Sequence, residues 1–219
     1  MKTTIHAEQW EASNKLNQLD LEESVLLQAA QAGLSAWAEC TENHPPSSPG
    51  YFAWAETVRT LRELLFPLGW KRLNEGNLPL AVNEAGDLAI SVQTGNDNTG
   101  RKDAQPRTSS VKGPRTAGVI QTNLQALLFP DMALPSKESL DVPGRTTWIL
   151  LIHRDLKTTE LRCELSRPIS MSEDGHVDSW AERIILTATP FDSNPMSGID
   201  GNPSGGSTPE ITVAIKKLH

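Results

Sequence analysis

The sequence predicts a helix that begins at Ser48 and ends before Pro67, because large apolar residues recur there at intervals of four, three and four. At this spacing one helical face carries Trp54, Val58, Leu61 and Leu65. Ser48 is placed to cap the first turn, and Pro49 suits the position after it, where a missing N–H is not needed. Pro67 cannot continue the helix and disfavours helical backbone at the residue before it, so we expect the helix to end there.

After this helix the pattern changes to short apolar runs separated by turn residues. Three strands are predicted, at Trp70–Leu73, Leu78–Val82 and Asp87–Gln93. In the third run apolar and small or polar residues alternate, which is typical of a strand with one buried face. The turns between the strands are only four residues long, so an antiparallel meander is favoured.

The residues before Ser48 predict a helical layer, residues 1–47. A short helix is expected over His6–Asn17. Asp20 with Glu23 three residues later predicts the start of a second helix, in the manner of a capping box. One face of that second helix carries Leu26, Ala30, Gly33 and Trp37. Because two of these residues are small, we expect a neighbouring element to approach this face closely.

The second half of the chain predicts one more helix and several strands. Helical spacing resumes over Thr116–Phe129, and strands are expected at Trp148–Ile152, Leu161–Leu165 and Ile184–Leu186. The predicted fold is therefore α+β, with N-terminal helices followed by a mostly antiparallel or mixed β-sheet of five to seven strands and one packed helix. The predicted units are an α+β core at 48–189, a flexible linker at 190–209 and a C-terminal strand at 210–219.

Composition narrows the class of protein. The 219 residues carry a formal charge of −7, which argues against a general binder of nucleic acid or membrane surfaces. Cys40 and Cys163 form neither a CxxC pair nor a disulfide framework, so a reducing compartment is the simpler interpretation. No apolar run is long enough to cross a bilayer and the N-terminus lacks the pattern of a signal peptide. We expect a cytoplasmic protein.

Positive charge is concentrated in one irregular segment, residues 95–114, which we name the basic loop. Its cations, counted to the first residue beyond it, are Arg101, Lys102, Arg107, Lys112 and Arg115, and the only acid among them is Asp103. An irregular segment of this length within a domain is usually functional or disordered. One hypothesis is a contact with phosphate groups of nucleic acid. The other is a solvated, disordered loop.

Two short motifs are similar to parts of protein kinases. His153–Lys157 resembles the catalytic loop of that family, and Val213–Lys216 resembles its ATP-orienting lysine strand. In kinases the lysine strand precedes the catalytic loop, whereas here it comes after that loop. The metal-binding asparagine expected five positions after Asp155 is Glu160 in this chain. We therefore predict a charged turn between strands and a terminal strand rather than a kinase.

The predicted order of helix, three strands, helix and strand resembles the core of restriction-endonuclease-like nucleases. In that family acidic residues on consecutive strands hold Mg²⁺ beside a lysine in an acid-x-lysine pair. Asp87 opens the third strand here and is the residue that the resemblance implicates. The position of the acid-x-lysine pair is occupied by Ser91–Gly95, which contains neither an acid nor a lysine. A divergent nuclease, or a catalytically dead relative of one, is the alternative function.

Gln125–Phe129 resembles the peptide with which bacterial replication and repair proteins dock on the sliding clamp. Gln125, Leu128 and Phe129 would be its docking residues, although Ala126 stands where leucine is usual. The alternative is that this segment ends a helix with a buried apolar face.

Ile211, Val213 and Ile215 alternate with small residues and predict the C-terminal strand. Tethered by the linker, this strand can pair with a sheet edge of its own domain, the favoured alternative, or with a partner.

No two histidines have the spacing of a zinc site, and we predict no metal and no cofactor. The preferred function is a non-enzymatic interaction or accessory protein with an unidentified protein partner. Nucleic acid, or a complex that processes it, is a further possible partner through the basic loop.

Overall fold

The computed structural model describes residues 2–128 and 145–192 of the chain. The helices are α1 (Gln9–Asn17), α2 (Glu23–Ala38), α3 (Ser48–Leu65) and α4 (Pro114–Leu128), with a 3-10 turn at Phe66–Leu68. The strands are β1 (Thr4–His6), β2 (Lys71–Glu75), β3 (Leu78–Val82), β4 (Leu88–Thr94), β5 (Thr146–Asp155), β6 (Glu160–Met171), β7 (Val177–Ile185) and β8 (Thr189–Pro190).

The strands form one mixed sheet in the order β1-β7-β6-β5-β4-β3-β2, with β8 paired to the end of β6. The pairs β1–β7 and β4–β5 are parallel, and the others are antiparallel. The β4–β5 pair is parallel because α4 lies between these strands in the chain, and parallel neighbours need such a crossover. The predicted α+β fold with a mixed sheet is confirmed.

The main core lies between the sheet and the three N-terminal helices, and smaller clusters lie on the α4 side. Strand β5 shows the division clearly. Trp148, Leu150 and Ile152 face the main core, whereas Ile149 and Leu151 pack in a cluster with Ile120 of α4. Alternate side chains of a strand point to opposite faces, so this central strand is apolar on both.

Helices α2 and α3 touch at Gly33. A Cβ atom at this position would lie 2.0 Å from Thr57 Oγ1 and 2.5 Å from the carbonyl oxygen of Ala53. The close approach predicted from the small residues of α2 is therefore confirmed. It also explains why Ala53 and Thr57 of α3 are fully buried, although the helical spacing pointed to Trp54 and Val58, which are half-buried.

Both predicted helix starts differ in detail. The N-cap of α3 is Ser47 rather than Ser48, and its side chain makes no capping hydrogen bond. Asp20 does not cap α2. It has a left-handed φ of 53° in the turn that follows α1, where the Leu21 N–H donates to the Leu16 carbonyl at 3.0 Å. The N-cap of α2 is Glu22.

Strands β5, β6 and β7 are longer than predicted, and two short strands, β1 and β8, were missed. β1 and β8 contain too few residues to show a periodic pattern. Pro190 belongs to β8 and Phe191 packs on the main core, so the first residues of the predicted linker are part of the folded domain. The predicted strand Ile211–Ile215 lies outside the described residues. Within them, no helix is both long and apolar enough to cross a membrane.

Candidate functional site

The basic loop lies against the sheet and does not project from it. The Ser109 N–H donates to the Thr94 carbonyl at 2.8 Å, and the Thr108 N–H donates to the Val177 carbonyl at 2.9 Å. The buried Trp180 indole donates to the Pro106 carbonyl at 2.9 Å. The loop is therefore ordered on the sheet, although many of its side chains are exposed to solvent. Its polar sequence is ordered because strands on both sides of it supply hydrogen-bond partners for its backbone.

A fully buried ion pair holds the centre of this loop. Arg183 of β7 donates to both carboxylate oxygens of Glu164 on β6, at 3.0 and 2.6 Å. The same guanidinium donates to the carbonyls of Ala104 and Arg101 at 2.8 and 3.0 Å. Glu164 also accepts the Gly100 N–H at 2.8 Å. The two buried side chains make all of these hydrogen bonds only when the loop lies on the sheet, so we expect the ion pair to hold the loop in this position.

A second pair lies beside the first one. Arg162 donates to Asp155 at 2.8 Å and to the Asp97 carbonyl of the loop at 3.0 Å. Desolvation would raise the pKa of Asp155. The backbone N–H groups of Lys157 and Thr158 and the Arg162 charge outweigh it and lower the pKa below its usual value. Asp155 is therefore the acid that neutralises Arg162, within the hairpin turn predicted from the kinase-like motif.

The five predicted phosphate-binding cations do not form one free patch. Arg101 lies 3.5 Å from Asp155, and Arg107 lies 3.2 Å from Asp174. Lys112 donates to Gln93 at 2.6 Å and to Ser110 at 2.7 Å, and burial lowers its pKa to about 8. Lys102 and Arg115 are exposed, and no acid of the described residues is within ion-pair distance of either.

Asp87 lies just before β4, where the nuclease resemblance implicates it. Its carboxylate is exposed and accepts a hydrogen bond from Asn83 at 2.7 Å. On β4, Gln93 occupies the end of the acid-x-lysine position and binds Lys112. The order α3-β2-β3-β4-α4-β5 agrees with the predicted order. Across 2–128 and 145–192, no three histidine, cysteine or acidic side chains form a group that could hold a metal ion.

The other sequence-predicted contact residues are only partly described. Gln125 and Leu128 are both exposed on α4, and 52% of Leu128 is accessible. Phe129, Ile211, Val213 and Ile215 lie outside the described residues. Docking through either segment therefore stays a prediction.

A groove of about 800 Å³ lies between α3 and the β2–β3 hairpin, and we name it the α3–β2 groove. Its apolar wall includes Trp54, Val58, Trp70 and Phe66. Trp70 is buried and fixed in the core, whereas 74% of Phe66 is exposed. The 3-10 turn that follows α3 holds Phe66 outward, since Pro67 ends the helix and Gly69 takes a left-handed φ of 83°.

Positive charge lines the rim of this groove. Arg62 donates to the carbonyls of Leu73 and Leu80, both neutral acceptors, so its charge is not compensated by an acid. Burial and the nearby Arg72 lower the pKa of Arg62. Lys71 and Arg72 on β2 are exposed, with no described acid within ion-pair distance. Arg59, in contrast, is held by Glu56 and Glu63.

The groove was missed in the sequence because its residues come from three separate elements. One signal was present. Phe66 and Leu68 flank Pro67 just beyond the predicted helix end, and large apolar residues in such a position are often left exposed. In comparisons with known proteins, no protein family, no curated protein and no solved structure matches this chain.

Proposed function

We propose that this protein is a non-enzymatic interaction protein that holds an acidic, partly apolar segment of a protein partner in the α3–β2 groove. The observation that carries the proposal is the combination of an apolar groove of about 800 Å³ with a rim of uncompensated cations. Cavities between about 300 and 1,000 Å³ with apolar walls and a few polar groups are typical of binding sites.

Phe66 is the expected anchor of the contact. It is a large aromatic side chain held in solvent at a fixed position, next to the rigid ring of Trp70. Aromatic residues in such positions supply much of the binding energy of protein interfaces, because they bury a large area at a small cost in side-chain entropy.

The charge of the rim selects the partner. Arg62, Lys71 and Arg72 line the groove with no described acid within ion-pair distance, and the acid of the lining, Glu63, is paired with Arg59. The chain as a whole, in contrast, carries −7. Local charge opposite in sign to the rest of the protein favours an acidic partner segment and rejects basic ones. The predicted C-terminal strand of this chain is followed in sequence by Lys216 and Lys217, whose positive charges do not suit a groove with a basic rim.

Strand β2 offers a backbone contact as well. It is the last strand of the sheet order and pairs only with β3 among the described strands. An extended partner segment can therefore add to this edge by main-chain hydrogen bonds, with side chains reaching the groove. A nucleic-acid partner at the basic loop has weaker support, since Arg101, Arg107 and Lys112 already have partners within the protein.

A peptide library displayed on phage and selected on the full-length protein tests the proposal. We expect selected peptides to combine acidic with large apolar residues. Phe66→Ser should weaken their binding by about 30-fold, the effect of losing an interface anchor of ~2 kcal/mol. Reversal of charge in Lys71→Glu/Arg72→Glu should weaken it about tenfold. The matched control is Trp10→Ser, which removes an aromatic that is 67% exposed and outside the groove.

Three results would overturn the proposal. One is a set of selected peptides without acidic residues, and another is equal binding to wild type and Phe66→Ser at unchanged thermal stability. The third concerns the tail. If deletion of residues 199–219 raises peptide affinity, the tail itself competes for the groove, and the groove is not a site for a partner.

A further inference from the structure

A second cavity, of about 470 Å³, lies where β4 and β5 end, and we name it the terminal crevice. It shares no residue with the α3–β2 groove, so a ligand in the crevice is independent of the proposed function. Its lining is polar and charged and includes Trp37, Asn96, Asp97, Arg107, His153 and Arg154. Crevices at the carboxyl ends of neighbouring parallel strands are common ligand sites in open sheets.

Arg154 is the unusual residue of this crevice. It continues the face of β5 that carries Trp148, Leu150 and Ile152, so its stem is half-buried against the helical layer. Its guanidinium carbon lies 5.6 Å from the centre of the Trp37 ring, and burial lowers its pKa. Within the described residues, neither an acid nor a hydrogen-bond acceptor meets its guanidinium.

The other buried and half-buried arginines are different. Arg162 and Arg183 bind acids and loop carbonyls, and Arg167 lies 3.9 Å from Glu182. Arg62 donates to two carbonyls, and Arg145 donates to the Gly86 carbonyl. Charged side chains that leave bulk water are normally paired, because desolvation disfavours the charge. A half-buried guanidinium that has no acceptor among the described residues, at the wall of a cavity, is placed to bind an anion from outside.

Arg107 and Asn96 supply further donors in the same cavity. The Arg107 guanidinium has Asp174 at 3.2 Å, but both side chains are about half-exposed, so this pair is weak and open to competition. The Asn96 side-chain oxygen accepts the N–H groups of Arg107 and Asn98, at 3.1 and 3.3 Å. Its amide nitrogen has no acceptor among the described residues and is left to donate to a ligand.

The remaining polar groups limit the charge of the crevice. His153 Nδ1 donates to the Gly95 carbonyl at 3.3 Å, and its Nε2 lies 3.5 Å from Asp97. Desolvation lowers the pKa of His153, which favours the neutral ring near pH 7. Asp97 is 84% exposed at the mouth, so its charge is screened by water. The two guanidiniums therefore dominate the electrostatics inside.

We propose that the terminal crevice binds a small phosphate monoester, whose oxygens accept hydrogen bonds from Arg154, Arg107 and the Asn96 amide. Guanidinium groups form strong, paired hydrogen bonds with phosphate oxygens. Two guanidiniums also balance the charge of roughly −1.5 to −2 that a phosphate monoester carries at neutral pH. The volume admits the rest of a small organic molecule beside Trp37 and Leu156.

The test is an NMR titration of the full-length protein, in which amide and arginine side-chain signals are followed. The probes are inorganic phosphate, glycerol 3-phosphate and, as the carboxylate comparison, acetate. We expect saturable shifts at Asn96, Arg107 and Arg154 with both phosphates, and little change with acetate. Arg154→Met should reduce phosphate affinity at least tenfold, and Arg154→Lys should restore part of it. The matched control is Arg115→Met, an exposed cation outside the crevice.

Thermal stability separates this role from a structural one. Arg154 has only its contact with the Trp37 ring to lose, and methionine keeps the apolar stem, so Arg154→Met should melt within about 2–4 °C of wild type without phosphate. Phosphate should raise the melting temperature of wild type but not of this variant. The proposal fails if no probe gives saturable shifts, if Arg154→Met and Arg115→Met weaken binding equally, or if acetate binds as tightly as phosphate. A strong loss of stability in both Arg154 variants would make the residue structural and would also overturn it.

Discussion

Arg183→Met tests whether the buried ion pair with Glu164 holds the basic loop on the sheet. Methionine keeps a long apolar side chain in the site and removes the guanidinium. The change deletes two hydrogen bonds to Glu164 and two to the carbonyls of Arg101 and Ala104. It also leaves the Glu164 carboxylate, which is 0% exposed, without its opposite charge.

The expected cost is large because the remaining charge cannot reach water without moving the loop. Removal of one partner of a buried pair destabilises proteins by about 3–5 kcal/mol. For a domain of this size each kcal/mol lowers the melting temperature by about 2–4 °C, which gives a decrease of roughly 6–20 °C. Replacement of both partners, in Glu164→Met/Arg183→Met, should cost less than the sum of the single changes, since no unpaired charge is left behind.

Two measurements check this. Urea unfolding followed by circular dichroism gives the change in free energy. Limited digestion with trypsin reports the loop directly, because Arg101, Lys102 and Arg107 are cleavage sites within it. Wild type should resist cleavage there, and Arg183→Met should be cut rapidly under native conditions. The control is Arg59→Met, which breaks an exposed ion pair with Glu56 and Glu63 and should change the stability little, because water screens these charges.

The structural role of the ion pair is refuted if the free energy of unfolding of Arg183→Met lies within about 1 kcal/mol of that of wild type, which is the range of an exposed ion pair. It is also refuted if the loop of wild type is cut as fast as that of the variant. In either case the loop would not depend on the pair.

Three further predictions concern other buried groups. Burial lowers the pKa of Lys112 from 10.5 to about 8 in the folded protein. Between these two pH values the unfolded chain binds more protons than the folded one, so the free energy of unfolding should rise with pH. Urea unfolding measured across this range should show the rise in wild type and not in Lys112→Met. Burial raises the pKa of the Cys163 thiol to about 12, so this thiol should not react in the folded protein. A thiol reagent should therefore label only Cys40 in the native protein and both cysteines in urea. Equal labelling of Cys40 and Cys163 in the native protein would contradict the prediction. Gly33→Ala should destabilise the protein by about 1–3 kcal/mol, because the new methyl group would clash with Thr57. Gly50→Ala is the control, since a Cβ atom there has nothing within 4 Å. Equal melting temperatures of the two variants would contradict the prediction.

Sequence patterns predicted the fold well where one face of an element is apolar. Helix α3 and strands β3 and β4 were placed within a residue or two because their periods are long enough to count. The turn around Asp20 was misassigned because an aspartate can cap a helix or adopt a left-handed backbone, and only tertiary contacts choose between them. The short strands β1 and β8 depend entirely on the neighbours with which they pair.

The candidate sites were harder to predict because polar strand positions do not reveal what covers them. Arg162, Glu164 and Arg183 alternate with buried apolar residues, a pattern typical of a face in contact with water. Here the basic loop covers that face, so these residues are buried, and their hydrogen bonds to the loop backbone hold the loop in place. The net positive charge of the loop was visible in the sequence, but the acids that offset it, Asp155 at the end of β5 and Asp174 in the β6–β7 turn, are distant in sequence.

Arg154 shows that the same alternation contains a usable signal. Along β5 the positions of Trp148, Leu150 and Ile152 all face the main core, and the next residue of that series is an arginine. An arginine that continues an apolar face must bury its stem and place its guanidinium at the edge of the core. Such a residue needs an acceptor, and here none of the described residues supplies one, whereas its neighbours on the opposite face are paired. The face of the strand on which an arginine lies therefore separates arginines that stabilise the fold from an arginine that is available to a ligand.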